Sequence, residues 1–436
     1  MTDKLRAERL NENCFCVTLD RGALEKSLDQ EVGSEGFTKN LIQSRPSLFS
    51  NVPVFVSAET MTAMAGVVSA VEAAAQLPGY RLAALSWAPS IAQAEFGPLG
   101  ALMGYDFHIT PNGPQLIEVN TNAGGAFLNS ALAQAQRACC AKVQAPIDIL
   151  LPKNFGEQVA DMFIAEWRRQ RGSGRPATIA IVDDKPLDQY LYPEFRLAKA
   201  LLESQGFQAV IADASELALV GNQLMLGDVA IDLIYNRLVD FALDEPRHAA
   251  LRAAYVAGNV VVTPNPRVHA LLADKRNLTL LSDATLLGAW GLNPEYAAIL
   301  DAAVPKTIVV SSANAEDLWR DRRSLFFKPA RGYGSKAAYR GDKITRKVWA
   351  EIVAGVHVAQ TYAAPGPRVI EHEGTRTHLK VDVRLFTYAG IVQLVAARLY
   401  QGQTTNMRTP GGGFAPVLEV RAPNLSDDSQ RSSLCR

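Results

Sequence analysis

The sequence predicts a mixed protein in which a doubly wound α/β unit is joined to antiparallel α+β units. Three observations carry that expectation. Residues 178–263 alternate short apolar runs with amphipathic helices, the pattern of a parallel sheet covered on both faces. Residues 357–402 read instead as consecutive strands joined by short turns. A chain of 436 residues is about three times the usual domain length, so more than one core is needed.

Composition narrows the function classes. Lys+Arg and Asp+Glu both number 44, leaving no net charge. Nothing therefore supplies the basic excess of a protein that lives on nucleic acid or anionic lipid. With 48% hydrophobic and 20% charged residues, the chain is globular rather than disordered. The start, MTDKLRAERLNENC, is charged and lacks the apolar region of a secretory signal. The most apolar stretch, 61–75, is too short to span a bilayer and carries Glu72. The expectation is a cytoplasmic protein with no membrane and no nucleic-acid partner. Cys14, Cys16, Cys139, Cys140 and Cys435 form no C-x-x-C pair and have no histidine beside them. They read as reduced thiols rather than disulfides or a zinc site.

Along the chain, residues 1–55 carry no usable pattern. Ala-rich helical periodicity marks 58–76 and 127–142, and between them YDFHIT-PNGP-QLIEVN reads as strand, turn and strand. The basic, Gly/Pro-bearing segment 168–177 reads as a linker. TIAIV is a buried strand, FRLAKALLESQGF a helix closed by Gly206, and QAVIAD a second strand. The hairpin-like GNQLMLGD, the strand VAIDLIY, the helix HAALRAAYVAG and the strand NVVVTPN follow. SLFFKPA is then a strand ending in Lys-Pro, RGYGSKAAYRG a glycine-bearing loop, and TRKVWAEIVAG a helix. HVAQTYA, RVIEHE, LKVDVRLFTYAG and IVQLVAARLYQG complete the antiparallel part, and NLSDDSQRSSLCR is a polar tail.

Three constellations carry chemistry. Lys328-Pro-Ala-Arg-Gly-Tyr-Gly-Ser335 combines a lysine with glycines that let backbone approach a phosphate, although it is neither a Walker A loop nor a dinucleotide fingerprint. LKVDVRLF puts Lys380, Asp382 and Arg384 on one strand face and Val381, Val383 and Leu385 on the other. That polar face is either solvated or, with Arg398 on the next strand, Asn406 and the 411–413 glycines, an anion site. In GYDFHITPNGPQLIEVNTNAGG, Glu118 and Asn120 point the same way, and Asp106 lies on the partner strand. These are hard oxygen ligands of the kind Mg²⁺ prefers. His108 shares the parity of Asp106, but Mg²⁺ disfavours nitrogen, so it is left out of the ligand set.

In these residues the chain resembles the ATP-grasp superfamily of ADP-forming ligases, in a circularly permuted form. Asp274-Lys275 resembles the first lysine of that family, and Lys328 before Gly332, Tyr333, Gly334 and Ser335 resembles the second with its loop. Gln360-Thr361-Tyr362 resembles the adenine hinge, with Thr where Glu is usual. Asp382, Arg384, Arg398 and Asn406 match D-x-R, R and N, while Asp106, Glu118 and Asn120 match D followed by E-x-N. In ordinary members the E-x-N hairpin comes last; here it comes first.

The resemblance implies four regions. Residues 176–270 would be a Rossmann-like pre-grasp substrate domain, 271–375 the N-lobe with its glycine-rich loop, and 376–425 the C-lobe, completed by 1–150. It implies ATP with Mg²⁺, or Mn²⁺ in its place, and small carboxylate and amine substrates such as amino acids or peptides. A homodimer is compatible, but nothing sets the oligomeric state. Lys275 and Lys328 would hold the α/β-phosphates, and Arg384 and Arg398 would neutralise the γ-phosphate and acyl phosphate. Asp382 would orient an arginine or a metal water. Arg237, which ends a strand where open sheets place ligands, would hold a substrate carboxylate or form a salt bridge, with Asn122 and Asn406 as further substrate contacts. An ATP-binding kinase and a non-catalytic nucleotide-binding module remain alternatives on the same fold. The ligase reading requires the 104–120 hairpin to share a sheet with Asp382 and Arg384, facing the Lys328 loop. Without a cation its acids are expected to be solvated rather than buried.

Overall fold

Thr178–Asp183 shows why the middle of the chain folds as a layered sheet. Ile179 and Ile181 enter one apolar core with the helix Tyr192–Ser204, while Ala180 and Val182 enter another with Ala249–Val256. A strand buried on both faces has no polar side, and this is the signature of a doubly wound parallel sheet. Its four strands lie in the order Val261–Thr263, Leu233–Asn236, Thr178–Asp183, Gln208–Asp213, all parallel. The GNQLMLGD hairpin is part of a small antiparallel meander over Leu217–Val220, Gln223–Leu226 and Val229–Ile231. VAIDLIY therefore splits between two sheets.

The computed structural model describes residues 2–137, 147–149 (backbone only), 154–332 and 337–421. Tyr333, Gly334, Ser335, Cys139, Cys140 and Cys435 lie outside them. No helix among the described residues is long and apolar enough to cross a membrane.

An eight-stranded sheet dominates the rest. Its central path runs Val54–Ser57, Gly413–Val420, Ile391–Tyr400, Thr375–Tyr388, Met103–Thr110, Gly113–Asn120. Gly366–His372 also pairs with Thr375–Tyr388, and Ile147–Ile149 pairs with Gly413–Val420. The acidic hairpin is thus stitched into strands nearly 300 positions away, with Asp106 opposite Arg384 and Phe107 opposite Val383. Val381, Val383 and Leu385 face a core that also takes Met64, Val67, Val68 and Val71 from the helix Ala58–Gln76. Those helix positions recur at the spacing of one helical face, and Ser57 caps its start by accepting from the Thr60 N–H. Leu271, Leu278, Leu287 and Leu300 fill the same core.

A smaller antiparallel sheet, in the order Thr307–Val309, His357–Thr361, Leu325–Pro329, Tyr339–Arg340, has its own core of Phe327, Trp349 and Ile352.

Several boundaries differ from expectation. The linker 168–177 is half helix, because Phe155–Arg171 continues until Gly172, at φ 82°, ends it. The helix expected over 127–142 is Ala126–Gln134; its expected end falls partly outside the described residues. The break expected at 375/376 would cut the hairpin between Gly366–His372 and Thr375–Tyr388; the small sheet ends at Thr361 instead. Residues 2–53 contain three helices, Asp3–Asn13, Arg21–Val32 and Phe37–Ser44; Leu24 and Leu28 of the second and Leu41 of the third pack into the core beside the parallel sheet, while Ala7 of the first packs with Phe55 and Leu418.

Candidate active site

The cleft between the eight-stranded sheet and the smaller sheet around Leu325–Pro329 holds about 860 Å³ of empty space, its open mouth included. Lining it are Asp106, His108, Glu118 and Asn120 from the acidic hairpin, and Asp382 and Tyr400 from the neighbouring strands. Lys275, Phe326, Lys328, Gly332, Gln360, Thr361 and Tyr362 come from the other side. Lys328 and Glu118 are therefore on one cavity although 210 positions separate them in the chain.

Each side chain is placed by strand parity. Phe326 and Lys328 are i and i+2 on Leu325–Pro329, so both look into the cleft. Lys328 Nζ donates to the Ile117 carbonyl (2.8 Å) and to Gln360 Oε1 (2.8 Å). Only 4% of Lys328 is exposed; burial pushes its ammonium down to about 8, with Glu118 pulling the other way. Lys275 Nζ donates to the Gly332 carbonyl (3.0 Å) and lies 3.5 Å from Glu118 Oε2. Gly332 is required where it stands, since a Cβ there would meet Pro329 Cγ at 2.6 Å.

The acids are held by arginines. Arg384 clamps Asp106 with Nε and Nη2 at 2.6 and 2.7 Å. Arg398 Nη2 reaches Asp106 Oδ2 (2.8 Å) and Asp382 Oδ2 (2.5 Å). Asn120 Nδ2 bridges Asp106 (2.7 Å) and Glu118 (3.1 Å). Gly104 leaves room for this clamp, because a Cβ would meet Arg384 Nε at 3.0 Å and Ala123 Cβ at 2.6 Å. Glu118 is held well below the usual carboxylate range; Lys275 and Lys328 outweigh the opposing effect of burial. Asp382 is also held low despite burial, with Arg398 the leading cause.

Several expectations are corrected here. Of the hairpin's acids, Asp106 is not solvated but 1% exposed, because Arg384 and Arg398 already supply the cation that the sequence argument assigned to a metal; Glu118 stays partly exposed. The polar face of LKVDVRLF is likewise not a solvated surface, since Arg384 is buried as well. Arg384 and Arg398 lie behind the carboxylates rather than on the cavity wall, with Arg384 Nη1 on the Gly124 carbonyl (3.3 Å). Asn406 is also away from the cavity, organising its own loop through the Gln401 carbonyl, Arg408 N–H and Thr409 hydroxyl. Arg237 makes no ion pair within 4.0 Å among the described residues. Its Nη2 donates to the Asn122 carbonyl (2.7 Å), and Asn122 donates to the Leu238 carbonyl, tying the loop after the acidic hairpin to the parallel sheet.

Sequence reasoning missed Phe326, Ile117, Tyr400 and Thr405, all on the cavity wall. Phe326 was legible from its parity with Lys328; the others had no local signal. His108, set aside as a metal ligand, also lines the cavity.

No family model matches the sequence, and no curated protein matches it. Solved structures do. A glutathione synthetase-like effector from Globodera pallida, in its apo form, superposes with TM-score 0.57 at 12% identity, covering 91% of this chain and 98% of that one. A provisionally named gamma-glutamylcysteine synthetase from Methylobacillus flagellatus gives TM-score 0.47 at 12% identity over 84% of this chain and 89% of that one. The ATP-grasp ligase PsnB bound to a minimal precursor gives 0.28 at 12% identity over 57% and 91%. Of these three, the first superposes closely enough to bear on the fold, and at 12% identity it speaks for the fold alone. The chain has a fold of the ATP-grasp type.

Proposed function

We propose that the protein is an ATP-dependent ligase that joins a carboxylate to an amine through an acyl phosphate, releasing ADP and phosphate. One observation carries this reading: the carboxylates of the 103–120 hairpin and the lysines Lys275 and Lys328 line one nucleotide-sized cleft. The site groups four cations (Lys275, Lys328, Arg384, Arg398) with three carboxylates (Asp106, Glu118, Asp382), a net charge of +1. That balance suits a polyanion arriving with divalent cations. Phe326 and Ile117 would flank the base, Lys275, Lys328 and the loop from Gly332 through Tyr333, Gly334 and Ser335 would hold the phosphates, and Gln360, Thr361 and Tyr362 would edge the base. Glu118 and Asn120 fit Mg²⁺ best. Asp106 Oδ2 already accepts from Arg384, Arg398 and Asn120, which leaves this carboxylate with spare capacity mainly on Oδ1. When bound, Mg²⁺ would draw charge from the phosphate oxygens.

The chemistry needs no protein nucleophile. A substrate carboxylate oxygen bonds to the γ-phosphorus, and the bond to the β–γ bridging oxygen breaks with its electrons leaving on ADP. The amine nitrogen then bonds to the acyl carbon, phosphate leaves with its electron pair, and the amine releases a proton. The protein's part is to bring like charges together in a fixed geometry. We further read 176–270 as the substrate-side domain, with Arg237 and Asn122 at the switch point of its sheet. The small sheet that ends at Thr361 and the eight-stranded sheet that takes in the acidic hairpin would form the two lobes, in a permuted order. The neighbour named for glutathione synthetase makes amino acids or short peptides the first substrates to try.

The test is a screen of paired carboxylates and amines for substrate-dependent ADP release, with hydroxylamine present to trap acyl phosphate. ADP release with hydroxamate formation supports the ligase. Release without hydroxamate favours a kinase, and no release with any pair favours a binding module.

A pH dependence follows from Lys328. Its ammonium loses its proton near pH 8 in the empty site, and bound phosphate would restore it. Metal-free ATP affinity is therefore expected to be flat below pH 8 and to fall above it, by up to about tenfold per pH unit. Calorimetry in buffers of different ionisation heat should show proton uptake on binding above pH 8. Lys328→Met should flatten the profile; an unchanged profile in that variant would remove Lys328 from the phosphate site.

A further inference from the structure

At the C-terminal edge of the parallel sheet lies a cluster that lines no part of the nucleotide cleft. Asp184 directly follows the strand Thr178–Asp183, and Asp240, Glu245 and His248 follow the adjacent strand Leu233–Asn236. His248 is fully buried, and both ring nitrogens face carboxylates. Nδ1 is 2.8 Å from Asp240 Oδ2, and Nε2 is 2.9 Å from Asp184 Oδ1. Asp240 also accepts the Glu245 and Ala242 N–H groups at 2.9 and 3.3 Å, so it is a fixed acceptor and the ring proton belongs on Nδ1. The Nε2 lone pair of a neutral ring would then point at a carboxylate oxygen, an arrangement that calls for a cation between the two atoms. Glu245 supplies a third ligand. The donor atoms of Asp184, Glu245 and His248 lie within 4.8 Å of one another, the one such group of His, Cys, Asp or Glu among the described residues.

We propose that Asp184, Glu245 and His248 bind a divalent transition-metal ion of the Zn²⁺ class, with Asp240 orienting the imidazole from behind and water completing the shell. The inference is independent of the ATP reading. A carboxylate on the second ring nitrogen is the usual support of a metal-bound histidine, because it fixes the tautomer and raises the basicity of the ligating nitrogen. One imidazole nitrogen with two carboxylate oxygens suits Zn²⁺ or Mn²⁺, whereas Mg²⁺ and Ca²⁺ favour oxygen alone. Bonds of about 2.0–2.2 Å set tetrahedral ligands about 3.3 Å apart, so Nε2 and Asp184 Oδ1 need to part by only about 0.4 Å. Asp184 and Glu245 are partly exposed and leave a path of entry. Arg247 Nε, 3.0 Å from Glu245 Oε2 and 4.0 Å from Asp184 Oδ1, is a competing cation on a half-exposed side chain that can swing out. The bound ion would pin the 240–248 segment to the end of Thr178–Asp183. A proton in the same place, making His248 an imidazolium between two carboxylates, is the rival that the experiment separates.

Co²⁺ is titrated into the full-length, reduced protein with millimolar Mg²⁺ present to occupy sites built of oxygen alone, and Zn²⁺ is then added as competitor. One equivalent of Co²⁺ should bind with d–d absorption bands and without the thiolate charge-transfer band that cysteine ligation would add, and Zn²⁺ should displace it. Glu245→Gln, a change at an exposed side chain, should weaken Co²⁺ binding at least about tenfold, and Asp240→Asn by about 10–100-fold. Arg247→Gln should tighten binding by removing the competing cation, which a purely structural ion pair gives no reason to expect. No Co²⁺ uptake, uptake only with the thiolate band, full affinity in both Glu245→Gln and Asp240→Asn, or weaker binding in Arg247→Gln would each overturn the proposal. If Asp240→Asn fails to fold, Glu245→Gln and Arg247→Gln still decide.

Discussion

Glu118→Gln is expected to lower ADP-forming turnover by about 10²–10³-fold while leaving metal-free ATP binding unchanged or slightly tighter. The reason is electrostatic. Glu118 sits on the cavity wall, 3.5 Å from Lys275, and stays ionised because Lys275 and Lys328 hold its carboxyl low. Without a metal, its charge repels phosphate; with one, it would hold the cation that screens the same phosphate. Lys328→Met should show the opposite split, losing affinity even in EDTA, since its Nζ is a buried cation on the cavity wall that would pair with the phosphates. Turnover as a function of Mg²⁺ and calorimetry in EDTA separate the two. Equal loss of metal-free affinity in both variants would end this division of roles.

The second large effect concerns stability. Arg384→Met should destabilise the fold by about 3–5 kcal/mol, because it leaves Asp106 buried with its bidentate partner gone. The net value of the intact pair is smaller than this, since two ions were desolvated to make it. Asp106→Asn combined with Arg384→Met should therefore cost clearly less than the sum of the single changes. Urea unfolding of the four proteins measures this. An additive double mutant, or an Arg384→Met loss under about 1 kcal/mol, would show that the clamp does not hold the hairpin in the sheet.

Local periodicity was enough for much of the architecture. The helix Ala58–Gln76, the hairpin Met103–Asn120 and the buried strand Thr178–Asp183 stand where their 3.6- and 2-residue patterns put them, because those patterns depend only on which side of one element is apolar. The same parity put Glu118 with Asn120, and Asp382 with Arg384, on shared faces. Glycine punctuation was less reliable: 168–177 looks like a linker, yet helix packing carried Phe155–Arg171 through half of it.

What the sequence by itself determined was the strongly periodic elements, the facing of their strands, and the identity of the acids and lysines that now meet in one cleft; the helices of residues 2–53 left no usable pattern. Tertiary structure alone decided that the acidic hairpin inserts beside Thr375–Tyr388, placing Arg384 across from Asp106. It also decided that Arg384 and Arg398 turn inward to neutralise buried acids, and that His108, on the cavity wall, is held through Nδ1 to the Ala363 carbonyl. The physical reason is range. Strand pairing between residues 278 positions apart leaves no mark on either local pattern, and whether a carboxylate is solvated or buried depends on which cation reaches it only after the sheet has closed.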